Sequence, residues 1–279
     1  MYLGIFAKTF VRPTLEANLD AVRDAGFSCA QYNLACAGLP TLPDELDESI
    51  CERIRRAFVE RNLALSAVSG TFNIIDPNRE RRRQNVARLR TLAEHCSLLG
   101  TSIITLCSGT CDPDNMWRHH PDNGLPGTWA EVTEAMREIT QIGEQSGVTM
   151  AFEPEVSNVV DSARKARRLL DEVGSPNLKV VLDGANLFHA GELPRMREIL
   201  AEACELLGTD TVVAHAKDLN RDGDAGDVPA GSGLLDYDYY LSLLRKAGFQ
   251  GPLITHGLKE EQVPACAEFL RNKLRAATA

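Results

Sequence analysis

A single (β/α)8 TIM barrel is the fold this sequence predicts, on three observations. Short apolar runs alternate with longer amphipathic ones from end to end, eight of each. The first run opens into AKTFVRP without a GxGxxG loop, which counts against a doubly wound open sheet. No linker, repeat or low-complexity tract divides the chain, so residues 1–279 read as one domain of ordinary barrel size.

The elements follow in order. YLGIFA (2–7) has no basic lead-in and no small-residue cleavage site, so it reads as a strand and not as a signal peptide. LEANLDAVRDAG (15–26) carries apolar residues at i, i+3 and i+4, the helical period. CAQYN (29–33) pairs with ESICERIRRAFVERN (48–62), and ALSAVSG (64–70) with NVARLRTLAEHCSLLG (85–100). SIITLCS (102–108) runs into an irregular stretch of about 20 residues, SGTCDPDNMWRHHPDNGLPG, of a length that suits a lid or substrate wall. WAEVTEAMREITQIGEQSG (129–147) then restores the helical pattern. The remaining strands are VTMAFE (148–153), LKVVLD (178–183), TVVAHA (211–216) and PLITHG (252–257). Their helices are SARKARRLLDEVG (162–174), LPRMREILAEACELLG (193–208), DYYLSLLRKAGF (238–249) and VPACAEFLRNKLRAA (263–277). Gly26, Gly100, Gly147, Gly174, Gly208 and Gly248 stand where helix C-termini favour glycine.

Composition narrows the function. Hydrophobic residues make up 44% and charged residues 25%, enough to bury a core, and no apolar run reaches the roughly 20 residues of a membrane span. A net charge of −9 repels phosphate backbones, so neither nucleic acid nor membrane is an expected partner. The eight cysteines are scattered without a CxxC, which suits reduced thiols in a cytoplasm. Cys107 and Cys111 flank a strand end, but no base sits beside them in sequence to make a catalytic thiol.

Four strands end in groups that are costly at a buried tip unless something pairs with them. AFEPE, VVLDGAN, VVAHAKD and LITHGL place Glu153, Asp183, His215 and His256 after strands five to eight, at the end where barrels carry active sites. Any one alone reads equally as a polar group satisfied at a sheet edge. Four at equivalent positions point to the ligands of one divalent metal. Two oxygens and two imidazoles suit Mn2+, Co2+, Fe2+ or Zn2+ better than Mg2+, and Mn2+ is the first expectation.

Other polar residues surround this mouth. Lys217 and Asp218 read as a solvated loop pair or as substrate contacts. Glu155, two residues after Glu153, either orients a ligand or caps the next helix. His119 and His120 lie beside Trp117 in the long loop, from which His120 would supply an acid on closure. Lys8 follows strand one, as a solvated rim lysine or a ligand for phosphate or hydroxyl. His95 and His189 receive no role.

With these residues the chain resembles the xylose isomerase-like barrels, the sugar phosphate isomerase/epimerase superfamily. The resemblance covers nearly the whole chain and is strongest from Trp117 onward. In the ketose 3-epimerase branch a Glu, an Asp, a His and a second Glu hold the metal after strands five to eight. The resemblance lays the first three on Glu153, Asp183 and His215. It also places Arg221, in His215-Ala-Lys-Asp-Leu-Asn-Arg221, on substrate hydroxyls, and matches AGSGLLDY and GFQGPL to the approach to strand eight. Two departures follow: His256 stands in place of the second Glu, and Asn186 in place of a substrate-contacting His. One nitrogen of an imidazole cannot both ligate and act as base, so a symmetric two-glutamate mechanism does not carry over.

The expected function is a metal-dependent isomerase or epimerase of a sugar or keto-sugar. It would abstract a proton next to a carbonyl through a metal-stabilised enediolate. Glu153 is the ligand and base, with His256 and His120 as further acid/base candidates. Arg221, Asn186, Lys217, Glu155 and Trp117 are the candidates for substrate contact. The alternative is a lyase or dehydratase that eliminates a β-substituent from a keto-sugar or inosose. A non-catalytic sugar-binding subunit would show the same residues. A related abasic-site endonuclease would need more zinc ligands than the strand ends supply. Homo-oligomers are common in the family the chain resembles.

Overall fold

The computed structural model describes residues 1–276, in which eight parallel strands close into one barrel. The strands are β1 Tyr2–Phe6, β2 Cys29–Tyr32, β3 Ala64–Ser69, β4 Ile103–Cys107, β5 Thr149–Glu153, β6 Leu178–Asp183, β7 Thr211–Asp218 and β8 Pro252–Thr255. Each pairs with its sequence neighbour, and β8 returns to β1, where Gly4 lies beside Ile254. The helices are α1 Leu15–Asp24, α2 Glu48–Glu60, α3 Arg79–Leu99, α4 Pro126–Ser146, α5 Ala163–Val173, α6 Met196–Leu207, α7 Tyr237–Lys246 and α8 Val263–Ala276. Ala277, the last residue of the expected final helix, lies outside the described residues. Among those described, no helix is long and apolar enough to cross a membrane.

Local chemistry explains where the elements differ from the periodicity. The helix expected from residue 85 begins at Arg79. The run RERRRQ carries no apolar residue to reveal it, but Asn78 accepts from the N–H groups of Glu80 and Arg81, both at 3.1 Å, and starts the helix. Five of the six expected terminal glycines have positive φ. Gly208 does not: its φ is −56°, and a Cβ there would lie 2.4 Å from that of Ala247. Glycine is needed there for close packing of α6 against the end of α7, not for a left-handed turn.

The core divides into two populations. Strand residues facing outward pack under the helices in one large cluster. Inside the barrel, Phe6, Cys29, Ala67, Ala151, Val181, Val213 and Ile254 form a separate apolar cluster, with Ile103 packed against it. Side chains alternate along a strand, so the residue two positions further faces the same side. Two positions on from this interior layer stand Lys8, Gln31, Ser69, Thr105, Glu153, Asp183, His215 and His256. Every one is polar. The apolar layer closes the bottom of the barrel and this polar layer becomes the floor of a cavity at its C-terminal mouth.

The long connection between β4 and α4 forms a fixed wall. Buried Asp112 accepts from the N–H groups of Asp114 and Asn115 and from both Nε and Nη2 of Arg118. Asn123 accepts from Cys111 N–H at 2.8 Å and donates to Ser157 O at 3.0 Å, tying the loop to the segment after β5. Met116 and Trp117 are thereby held at the cavity edge.

Candidate metal centre

Glu153, Asp183, His215 and His256 each offer a ligand atom, and these atoms all lie within 4.8 Å of one another. Donors each about 2.1 Å from a shared ion are at most about 4.2 Å apart, so side-chain shifts of a few tenths of an ångström would close the shell. Asp183 is fully buried, with Oδ1 accepting from Ala185 N–H at 2.9 Å. Its Oδ2 lies 3.2 Å from His256 Nε2 and 3.5 Å from Lys217 Nζ.

His215 supplies the most direct test of whether these residues fit a cation. Its Nε2 lies 2.8 Å from Gln31 Oε1, while Gln31 Nε2 donates to Thr105 Oγ1 at 3.1 Å. The amide orientation makes Oε1 an acceptor, so Nε2 carries the proton and Nδ1 the lone pair. Nδ1 is buried without a hydrogen-bond partner and faces Glu153 Oε1 at 3.3 Å. A lone pair directed at a carboxylate inside a protein is unfavourable unless a proton or a metal ion sits between them. The residues therefore fit a divalent ion.

Neighbouring groups set the charges. Burial opposes ionisation of Glu153, but His215, whenever its Nδ1 carries a proton in place of a metal ion, and Lys217 outweigh it and hold the carboxyl below the ordinary range. Asp183 is also lowered against its burial, by Lys217 and His256. Burial and the adjacent His215 depress His256 to about 4, which keeps its imidazole neutral at physiological pH, the form that ligates metals. Glu155 moves the other way: burial, and then the charge of Glu153, push it up to about 7.

The other expected site residues separate into two groups. Asn186, Lys217, Glu155 and Trp117 line the same cavity of about 550 Å³ as Glu153, His215 and His256. Asn186 chiefly orients Glu153, donating to Oε1 at 2.7 Å. Lys217 and Asp218 are not a solvated loop pair, because β7 continues through both and buries them. Asp218 turns away from the cavity and accepts from the N–H groups of Leu219, Gly231 and Leu235. Glu155 is buried ahead of α5, whose cap is Ser162. Arg221 and His120 do not line the cavity. Arg221 is exposed and pairs with Asp224 at 3.2 Å, while His120 Nδ1 accepts from Asp122 N–H and caps a short 3-10 turn. Cys107 is buried against Phe72 O, and burial pushes its thiol up to about 12, which leaves no thiolate for catalysis.

Sequence reading missed Gln31, Thr105 and Asn33, all buried polar residues in the cavity wall. The missed signal was positional: Gln31 and Thr105 occupy the same inward register as the charged ligands.

Comparison with known proteins gives the family. No curated protein matches the sequence. Among solved structures, 3-keto-D-glucoside 4-epimerase from E. coli superposes with TM-score 0.74 at 18% identity, over 98% of this chain and 99% of that one. An L-ribulose 3-epimerase gives TM-score 0.76 at 15% identity, over 99% and 95%. The IOLI protein with a bound zinc atom gives 0.72 at 19% identity, over 97% and 96%. At these identities the likeness establishes the fold. The family model of the xylose isomerase-like TIM barrel matches residues 19–273, and the chain belongs to that family.

Proposed function

We propose that the protein is a divalent-metal-dependent isomerase or epimerase of a sugar or keto-sugar, acting by proton transfer beside a carbonyl. The observation that carries the proposal is the unpartnered Nδ1 of His215, turned toward Glu153 within a four-residue ligand cluster. A divalent ion held by Glu153, Asp183, His215 and His256, with Mn2+ the best match to two oxygens and two imidazoles, would polarise a carbonyl and acidify the adjacent C–H. Glu153, ionised and lining the cavity, accepts that proton. Glu155, close to half-protonated near neutrality, returns one, and Lys217 holds a positive charge against the developing enediolate. Two similar structures are named as epimerases of sugar substrates and a third holds zinc, in agreement with this chemistry.

A second reading is favoured by His256 standing where a second carboxylate would make the site symmetric. In a one-sided elimination Glu153 takes the α-proton, the β-substituent leaves with its bonding electrons, and Glu155 protonates it.

The test is NMR in deuterated water, using Mn2+-loaded protein with ketoses, inososes and 3-keto-glycosides. Deuterium entering beside an intact carbonyl supports the isomerase, and an unsaturated product moves the assignment to the lyase. Full metal content and turnover in Glu153→Ala would refute both.

A further inference from the structure

After β7 the chain (residues 219–227) turns back across the segment that follows β6 and is tied down to it as a strap. Asp222 Oδ2 accepts from Leu193 N–H at 2.9 Å, and Gly223 N–H donates to Phe188 O at 2.8 Å. Gly226 N–H donates to Ala185 O at 3.0 Å and also reaches Asn186 Oδ1 at 3.2 Å. No side chain fits at 226. A Cβ there would lie 2.6 Å from Ala185 Cβ and 2.6 Å from Asp218 O, and the second is backbone that cannot turn aside. Glycine is what lets the strap come close enough to touch Asn186.

That contact decides which end of the Asn186 amide faces Glu153. With Oδ1 committed to Gly226 N–H, Nδ2 donates to Glu153 Oε1, 2.7 Å away. The reversed amide would set its oxygen against a carboxylate and its NH2 group against an N–H. The backbone of Asn186 is fixed separately, by Val156 N–H donating to its carbonyl at 3.1 Å, and the residue is only 1% exposed. The two oxygens of Glu153 are thereby made different. Oε1 takes the Asn186 bond and faces His215 Nδ1 at 3.3 Å, inside the ligand cluster. Oε2 takes no hydrogen bond among the described residues, while Glu153 lines the cavity. An oxygen with its lone pairs free is the one placed to receive a proton.

We propose that Gly226 is a positioning residue for the base: its N–H turns the Asn186 amide so that Nδ2 holds Glu153 Oε1 toward the ligand cluster and leaves Oε2 for the substrate proton. The inference rests on the isomerase reading of the metal centre and deepens it. Asp224 and Ala225 of the strap line the cavity but Gly226 does not, so Gly226 acts through Asn186 and not by touching substrate.

The test reads Mn2+ affinity, by competition with a chromogenic chelator, and deuterium exchange into whichever ketose, inosose or 3-keto-glycoside the wild type accepts. Gly226→Ala and Asn186→Ala are each expected to weaken Mn2+ binding about 10–100-fold, as loss of a group that orients a ligand does. At saturating Mn2+, Gly226→Ala should lower kcat and leave KM within about twofold. The double variant should bind Mn2+ within about threefold of the weaker single one, because both changes act on one bond. Glu153→Gln separates the two oxygens. Its amide oxygen can take the place of Oε1 and its NH2 group that of Oε2, so it should bind Mn2+ more tightly than Glu153→Ala yet show no exchange. Four outcomes overturn the proposal: unchanged Mn2+ affinity in Asn186→Ala, losses that multiply in the double variant, a raised KM that accounts for the loss in Gly226→Ala, or Glu153→Gln binding no better than Glu153→Ala. Asn186→Ala adds no bulk, and its affinity decides alone should Gly226→Ala fail to fold. Affinities that follow the expected pattern without exchange on any substrate keep the positioning and remove the isomerase. Exchange by the wild type, with affinities indifferent to Gly226 and Asn186, does the reverse.

Discussion

Replacing Glu155 with glutamine is expected to stabilise the metal-free protein at pH 8 and leave it unchanged at pH 4.5. The carboxyl is buried beside Glu153, and these two causes raise it from 4.5 to about 7, net of attraction to Lys217. A carboxyl raised on folding binds more protons in the folded chain than in the unfolded one between those values. Its contribution to stability is therefore complete below pH 4.5 and is lost as pH rises through 7. At about 1.4 kcal/mol per pH unit, full ionisation inside the fold costs at most about 3 kcal/mol. Glutamine has the same shape and cannot ionise, so it escapes that loss. For a chain of this size each kcal/mol moves the melting temperature by about 2 °C, which gives a gain of about 6 °C at pH 8. Differential scanning calorimetry with excess chelator, run from pH 4.5 to 8 on both proteins, measures the difference directly. A difference that stays flat with pH, or a wild-type protein that is the more stable at pH 8, would refute the account of Glu155.

Three further outcomes are expected. Gln31→Leu removes the acceptor that fixes the His215 tautomer and should weaken Mn2+ binding about 10–100-fold. Gln31→Glu keeps an acceptor and should stay within about tenfold, both read by competition with a chromogenic chelator. Asp218→Ala orphans two buried N–H groups, of Leu219 and Leu235, at about 1–3 kcal/mol each, so a loss of at least about 2 kcal/mol is expected in urea unfolding. Iodoacetamide at pH 8 should label partly exposed Cys36 or Cys111 before buried Cys107, and early labelling of Cys107 by mass spectrometry would contradict its burial.

The barrel was legible because its evidence is redundant. Each strand and helix repeats the same pair of periods, so an error at one boundary, such as the missed first turns of α3, leaves the count intact. Glu153, Asp183, His215 and His256 were legible for a different reason: ionisable groups at the tips of apolar runs stand out against their neighbours. Lys217 and Asp218 were harder. Nothing in AHAKDLN tells whether a strand stops at Ala216 or continues, and the antiparallel bridge to Val228–Pro229 that extends β7 comes from a distant segment.

The neutral half of the site was hidden by the same contrast that exposed the charged half. Gln31, Ser69 and Thr105 are unremarkable at strand ends, yet each lies two residues beyond an interior apolar residue, as each metal ligand does. Once Phe6, Cys29, Ala67, Ile103, Ala151, Val181, Val213 and Ile254 are assigned to one layer, the pleat leaves no freedom in the next. Gln31, Ser69, Thr105, Glu153, Asp183 and His215 must then turn to the barrel interior above that apolar layer. Charge alone picks out the metal side, whereas register picks out both sides. The division has a functional sense: β5 to β8 carry the candidate metal ligands, and from β1 to β4 Gln31, held by Thr105, reaches one of them. Gln31 belongs to both sides, since it reaches from β2 to set the proton on His215 of β7, and that contact is where the two halves of the barrel become one site.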